Sequence, residues 1–564
     1  MNTRSAAGRI RAAAALAALA AGCGDTGPEP SGSTPEYYGT LAPFASEAVY
    51  FVVTDRFVDG DPGNNHITQG GAELGTFDRP VRHPDGGEGN IGYLGGDFRG
   101  IVDNAAYIAD MGFTAVWLTP IVDNPDEAFS GGFTLQQTPF ADRGKTGYHG
   151  YWGVNFFAVD EHLESDGLLF ADFTRSLKES GLKTVLDVVC NHGSPSYTMP
   201  ADQPKFGEIY DGEGTLVADH QNLEPGDLDD DNPLHAFFHR EPDITQLSNM
   251  DDTNPAVLDY FVSAYLQWIE QGADAFRIDT IKHMPHAYWK SFSDRIRAEH
   301  PGFFMFGESF DYDAATIAEH TYPENGGISV LDFPGKEKMN EVFGDPDSDY
   351  GEVLDYLHLT DGVYQNPYEQ MIFYDNHDMP RMDATEEGFV DAHNWLFTSR
   401  GIPVVYYGSE MAFRAGRAEH QGNRDYFGQD NVERAKTHPV RAALKSIADI
   451  RRTSPALQRG LQANLDFGGD TASFMRVYQK DGANQTALVL LNKSDSETEI
   501  AVSRWLSSGE WRDAATGETY SVSGGALALA VPAHGVRVLL FDAPNTDTGL
   551  AEHLARLQSG ASAR

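Results

Sequence analysis

Hydrophobic positions along the chain fall into short dense runs separated by longer stretches of helical period. Eight such runs recur: Ala48 to Phe57, Thr114 to Leu118, Lys183 to Val189, Ala273 to Ile278, Phe303 to Phe306, Ile328 to Phe333, Met371 to Tyr374 and Ile402 to Tyr407. Such dense apolar runs are typical of strands buried on both faces. Between most of them lie helical patterns, such as Asp103 to Met111, Leu169 to Ser180 and Ala256 to Gln271. Eight strands alternating with helices predict an α/β fold: a parallel (β/α)8 TIM barrel over 44–192 and 253–455, with its active site at the C-terminal strand ends. The gap between the third and fourth runs is too long for one helix. Residues 193–252, rich in Asp, Pro and His, are therefore expected as an inserted subdomain. After about residue 455 short alternating strands take over, among them Thr486 to Leu491 and Val536 to Phe541. They predict a C-terminal antiparallel β-sandwich domain over 456–542, with a polar tail at 543–564.

The N-terminus breaks this pattern. Arg4, Arg9 and Arg11 precede an apolar stretch, Ala12 to Ala21, too short for a stable membrane anchor. It ends Leu19-Ala20-Ala21-Gly22-Cys23, which resembles a bacterial lipoprotein signal with Cys23 as the lipidated residue; a plain secretory signal is the alternative. Residues 24–43, rich in Gly, Pro, Ser and Thr, then form a flexible tether. The chain is expected to be exported, as a cell-envelope lipoprotein or a secreted protein, touching a membrane only through Cys23. Besides Cys23 only Cys190 remains, so no disulfide is expected to stabilise the fold. With 84 acidic against 41 basic residues the formal charge is -43, which disfavours nucleic acid and anionic surfaces and suits a neutral substrate.

The predicted strand ends carry the chemistry. Asp187, Asn191 and His192 follow the third run; Arg277 and Asp279 close the fourth; Glu308 follows the fifth; His377 and Asp378 follow the seventh. Arg277 and Asp279 alternate onto one face of a strand, and a buried arginine needs such an anion. That pair by itself is equally a structural ion pair. Three carboxylates from three strands, with arginine and histidines among them, fit glycosidic cleavage: one attacks the anomeric carbon, one serves as acid then base, and one stabilises the oxocarbenium-like transition state. Metal-assisted hydrolysis is the competing chemistry, but Arg277 and Lys282 would oppose a catalytic cation. Glu308 lies among Phe303, Phe304, Met305, Phe306 and Phe310, where desolvation would keep it protonated.

Six ordered motifs bring these residues together: GFTAVWLTP (Gly112 to Pro120), DVVCNH (Asp187 to His192), GADAFRIDTIKH (Gly272 to His283), FGES (Phe306 to Ser309), FYDNHD (Phe373 to Asp378) and GIPVVYYGSE (Gly401 to Glu410). In this order and spacing the chain, over roughly 44 to 542, resembles the α-amylase family of glycoside hydrolases, above all bacterial α-amylases and cyclodextrin glucanotransferases. The resemblance implies Asp279 as nucleophile, Glu308 as general acid/base and Asp378 as transition-state stabiliser, with Arg277 keeping Asp279 ionised. It also implies sugar contacts from His149, Tyr151 and Trp152 in the loop GYHGYW, from His192 and His377, and from Lys282 and His283 on the leaving-group side. Arg424 resembles an arginine reaching distant sugars, but His420 stands where its aspartate partner is expected.

Calcium is the implied cofactor. Asp59, Asp61, Asn64 and Asn65 crowd oxygen ligands into one turn, a pattern that is either a hard-cation loop or a plain Asx turn. The loop resembles one in cyclodextrin glucanotransferases, where Gly95 and Asp97 would complete the shell. A second site at the junction of barrel and insert would use Asn191, the His283 carbonyl and Asn249, with Glu241-Pro242-Asp243 similar but displaced. The expected function is hydrolysis, by a monomer, of α-1,4-glucosidic bonds in starch or maltodextrin. The alternatives are a transglycosylase such as a cyclodextrin glucanotransferase, to which Ser309 in place of a tryptophan is a mismatch, and a non-catalytic glucan-binding surface protein.

Overall fold

The computed structural model describes residues 35–82, 88–132, 143–199, 203, 205–413 and 422–562. The expected signal, Cys23 and His420 lie outside them. Each of the eight predicted runs contributes a barrel strand: β1 (Val49–Val52), β2 (Ala115–Leu118), β3 (Lys183–Val188), β4 (Ala275–Ile278), β5 (Phe304–Gly307), β6 (Ser329–Val330), β7 (Met371–Ile372) and β8 (Ile402–Tyr406). All pair in parallel in the order β6-β5-β4-β3-β2-β1-β8-β7. A parallel bridge from Leu331 to Met371, with Asp332 N–H donating to the Met371 carbonyl at 2.9 Å, closes β6 onto β7. Strand residues such as Val49, Val116, Leu186 and Phe276 are buried because helices cover the outside and side chains fill the inside.

Helices stand close to their predicted places, Phe170–Glu179 and Pro255–Glu270 among them. The third prediction, Asp103 to Met111, is split: Phe98–Asp103 and Ala105–Asp110 meet at Asn104. The inserted subdomain is not self-contained. Its strands Glu208–Tyr210 and Leu216–Asp219 share one sheet with Val122–Asp123 and Asn155–Val159, which come from the loop after β2. Residues well before position 193 therefore build the insert's wall of the barrel mouth.

The C-terminal domain has a six-stranded antiparallel sheet and a separate antiparallel pair, Thr498–Val502 with Leu527–Val531. Two expectations change here. The stretch expected as a polar tail forms a helix, Thr548–Ser562, whose Leu550, Leu554 and Leu557 are at most 1 % exposed. Their spacing makes one helical stripe, and it packs into the same core as Trp511 and Leu539. The end of the expected tether is also docked: Tyr37 exchanges backbone hydrogen bonds with Gln479, at 2.8 and 2.7 Å. Among the described residues no helix is long and apolar enough to cross a membrane.

If this helix belongs to the domain core, Leu554→Ala should cost about 2–5 kcal/mol of stability in denaturant unfolding. A polar tail would give a change within about 0.5 kcal/mol.

Candidate active site

Strand register explains why the charges meet. Arg277 of β4 is paired with Asp187 of β3 on one side and with Phe306 of β5 on the other. Its side chain enters the barrel and is fully buried. One guanidinium nitrogen lies 2.8 Å from Asp187 Oδ1 and 2.7 Å from Asp279 Oδ1, and the other lies 2.9 Å from Glu308 Oε2. A single planar fork thus spans three carboxylates from three strand ends. Trp117 Nε1–H (3.1 Å) and the Tyr151 hydroxyl (2.8 Å) donate to Asp187, so its task is to hold Arg277 and Tyr151.

Burial pushes the Glu308 carboxyl up to about 8, against the pull of Arg277 and with the added push of Asp279 and Asp378. At neutral pH it is therefore a proton donor. Burial likewise pushes Asp187 up to about 7, opposed by Arg277. Asp279, Glu308 and Asp378 line one cavity of about 320 Å³. Asp378, a third exposed, receives Arg424 Nη2–H at 2.7 Å and has His377 Nε2 at 3.3 Å.

His149, Tyr151, Trp152, His192 and His377 line the same cavity. Tyr151 stacks on His377 with ring centroids 5.3 Å apart and 11° between planes, so one aromatic wall faces the carboxylates. Trp152 both lines the cavity and packs with Phe129 of the loop after β2 and with Phe206 and Leu247 of the insert. His192 Nε2 stands 3.8 Å from Asp279, and its buried Nδ1 finds no protein partner.

A family model described as the alpha amylase catalytic domain matches residues 51–210 and 229–452. The chain belongs to the alpha-amylase family. It is 30% identical over 519 residues to a cyclomaltodextrin glucanotransferase of Klebsiella oxytoca, covering 81% of this chain and 72% of that one. It is 28% identical over 538 residues to an alpha-amylase of Niallia circulans, covering 91% and 93%. Against other curated cyclomaltodextrin glucanotransferases it spans about 60% of their length. A solved cyclomaltodextrin glucanotransferase with a three-domain ABC distribution is similar at 27% identity and a TM-score of 0.70, covering 88% of this chain and 99% of that one. This member of the alpha-amylase family is thus an enzyme of glycoside hydrolysis or transfer.

Some residues named from the family stand apart from this cavity. Lys282 and His283 do not line the cavity. Thr280 takes a left-handed backbone, φ 47°, and starts a tight turn, Ile281–His283, that leads away from the strand axis. Lys282 then donates to the Phe310 carbonyl, and the His283 ring meets Asp243 at 3.0 Å. At the junction with the insert it is Asp243, not Asn249, that meets Asn191, whose Nδ2 donates to it at 3.0 Å. Asn249 lines the same cleft but donates its amide to the Glu241 carbonyl. Asp243 thus stands where Asn249 was expected, its carboxylate accepting from Asn191 and facing the His283 ring.

The first loop does fit a hard cation. Asp59 Oδ1, Asn64 Oδ1 and Asn65 Oδ1 are buried and find no hydrogen-bond partner. Gly95, at φ +89°, faces them, and a Cβ there would come within 2.4 Å of Asn65 Oδ1 and 2.9 Å of Asp59 Oδ2. Asp97 and Asp61 fold the loop as well: Asp97 accepts from the backbone N–H of Gly60, Asp61 and Gly100, and Asp61 from Gly63. Arg424, left aside in the sequence because of His420, proves to be the cation on Asp378.

Calcium should therefore raise the melting temperature of the protein after chelator treatment, because binding to the folded state alone adds about 2.7 kcal/mol at a hundredfold excess over Kd. In Gly95→Ala this calcium-dependent rise should vanish; a rise equal to that of the wild type would contradict the cradle.

Proposed function

We propose that this enzyme is a retaining glycoside hydrolase that cleaves α-1,4-glucosidic bonds of starch or maltodextrins. The observation that carries the proposal is the Arg277 guanidinium, 2.7 Å from Asp279 and 2.9 Å from Glu308, which sets both carboxyls side by side on one cavity, as direct attack with retention requires. Asp279 attacks the anomeric carbon while the Glu308 proton passes to the leaving oxygen, giving a glycosyl ester on Asp279 and a released chain with a new 4-hydroxyl at its non-reducing end. Glu308, now ionised, takes a proton from water, and the hydroxide displaces Asp279. Asp378, with Arg424 on one oxygen, faces the developing positive charge of the sugar ring. The Tyr151–His377 wall suits the apolar C–H face of glucose, with His149 and His192 for its hydroxyls.

Calcium is the cation we assign to the cradle of Asp59, Asn64, Asn65 and Gly95. Bound there it would supply charge neutralisation and cross-linking of the loop, and no proton or bond change depends on it. Export, with Cys23 as a lipid anchor, completes the reading. The second reading is transglycosylation, favoured by the cyclomaltodextrin glucanotransferase relatives. Domain count does not oppose it, since a three-domain enzyme of that activity has this size.

Products from soluble starch separate the two readings: linear maltooligosaccharides are expected, and dominant cyclic products would overturn hydrolysis. Asp279→Asn should lower kcat by at least about 10³-fold while glucan binding persists; unchanged turnover would refute the nucleophile. Because the acid must be protonated to act, kcat/KM should fall as pH rises through about 8. A profile flat to pH 10 would refute Glu308 as the acid.

A further inference from the structure

The cation cradle and the catalytic cavity lie at opposite ends of one buried chain of contacts. Gly95, whose backbone closes the cradle, donates its N–H to Asp55 Oδ1 at 3.0 Å, and Leu94 does so at 2.9 Å. The other Asp55 oxygen pairs with Arg56 at 2.5 Å. The Arg56 guanidinium lies 3.7 Å above the centre of the Tyr148 ring. The Tyr148 hydroxyl accepts from Arg424 Nη1 at 3.4 Å, and Arg424 Nη2 ends on Asp378 at 2.7 Å. A second tie joins the same two places: Asp59 N–H donates at 2.8 Å to the hydroxyl of Tyr426, two residues beyond Arg424. Asp55, Arg56, Tyr148 and Arg424 are all at least nine-tenths buried, so water offers them little to exchange with.

We propose that Arg56, Tyr148 and Arg424 are positioning residues that couple occupancy of the cation cradle to the placement of Asp378, and hence to glucan binding. Without a cation the orphaned oxygens of Asp59, Asn64 and Asn65 repel one another, and the Gly95 peptide that they surround is the same peptide that fixes Asp55. Any shift there reaches Arg56 as a displaced charge partner, and Arg56 has no solvent in which to compensate. A filled cradle thus steadies the segment from Asn423 to Tyr426 at two points, through Asp59 on Tyr426 and through Tyr148 on Arg424. Sites coupled in this way obey reciprocity: what calcium does to glucan affinity, glucan must do to calcium affinity.

This inference rests on the glucan and calcium assignments above, and the test separates their failure from its own. Calcium binding to the Glu308→Gln protein, which leaves maltotriose uncleaved, is measured by titration calorimetry with and without saturating maltotriose. Maltotriose should tighten calcium at least about fivefold. In Glu308→Gln carrying Tyr148→Phe and Tyr426→Phe, calcium alone should still bind, and the enhancement should drop towards one. A merely structural role would weaken calcium binding or lower the melting temperature without changing that ratio. Binding of both ligands with no mutual effect, or an enhancement that survives the two tyrosine changes, would overturn the coupling alone. Absence of maltotriose binding would overturn the glucan reading and the coupling with it.

Discussion

A fully buried guanidinium decides where everything else can stand. Arg277 gives up its hydration inside the barrel, a cost that only close anions offset, and Asp187, Asp279 and Glu308 are those anions. Removing one partner of such a buried pair costs about 3–5 kcal/mol, so each strand end is pinned by charge as well as by its ladder. The same fork brings together groups that would otherwise repel. Burial still outweighs its pull at Glu308, which remains protonated beside the Arg277–Asp279 pair. Asp279 and Glu308 are buried to nearly the same degree, 6 % and 5 % exposed, on two different nitrogens of the one guanidinium.

What the amino-acid order reveals follows from how local each signal is. Barrel strands are legible because a strand covered on both faces must be apolar throughout, and the reacting side chains follow immediately at the strand ends. Asp279 and Glu308 need no knowledge of the loops. Lys282 and His283 do: one left-handed residue, Thr280, redirects the chain, and nothing in the order of residues announces a β-branched side chain at φ 47°. Asp243 and Arg424 could be named from the sequence but not given their partners, since Asn191 and Asp378 are far off along the chain and reached only through the insert and the eighth strand's loop. The C-terminal helix was missed, because the polar composition of the window conceals the stripe that Leu550, Leu554 and Leu557 form.

The mouth of the barrel is built jointly by segments that the sequence separates. The strand Asn155–Val159 joins the insert's sheet, so the GYHGYW loop that precedes it is held between barrel and insert. From that loop Tyr148 turns towards Arg56 and the cation cradle, while Tyr151 turns towards Asp187 and the cavity. Adjacent residues thereby tie the two sites to one loop. The Arg277 fork, by contrast, draws only on strand ends.

The central claim is geometric: the Arg277 fork holds Asp279 and Glu308 close enough for a covalent glycosyl intermediate. Proton nuclear magnetic resonance of the first product released from a maltooligosaccharide, recorded before mutarotation, tests it most directly. The account predicts the α-anomer, the outcome of two successive inversions at the same carbon. Initial appearance of the β-anomer would mean that water, and not Asp279, attacks first, and would contradict it.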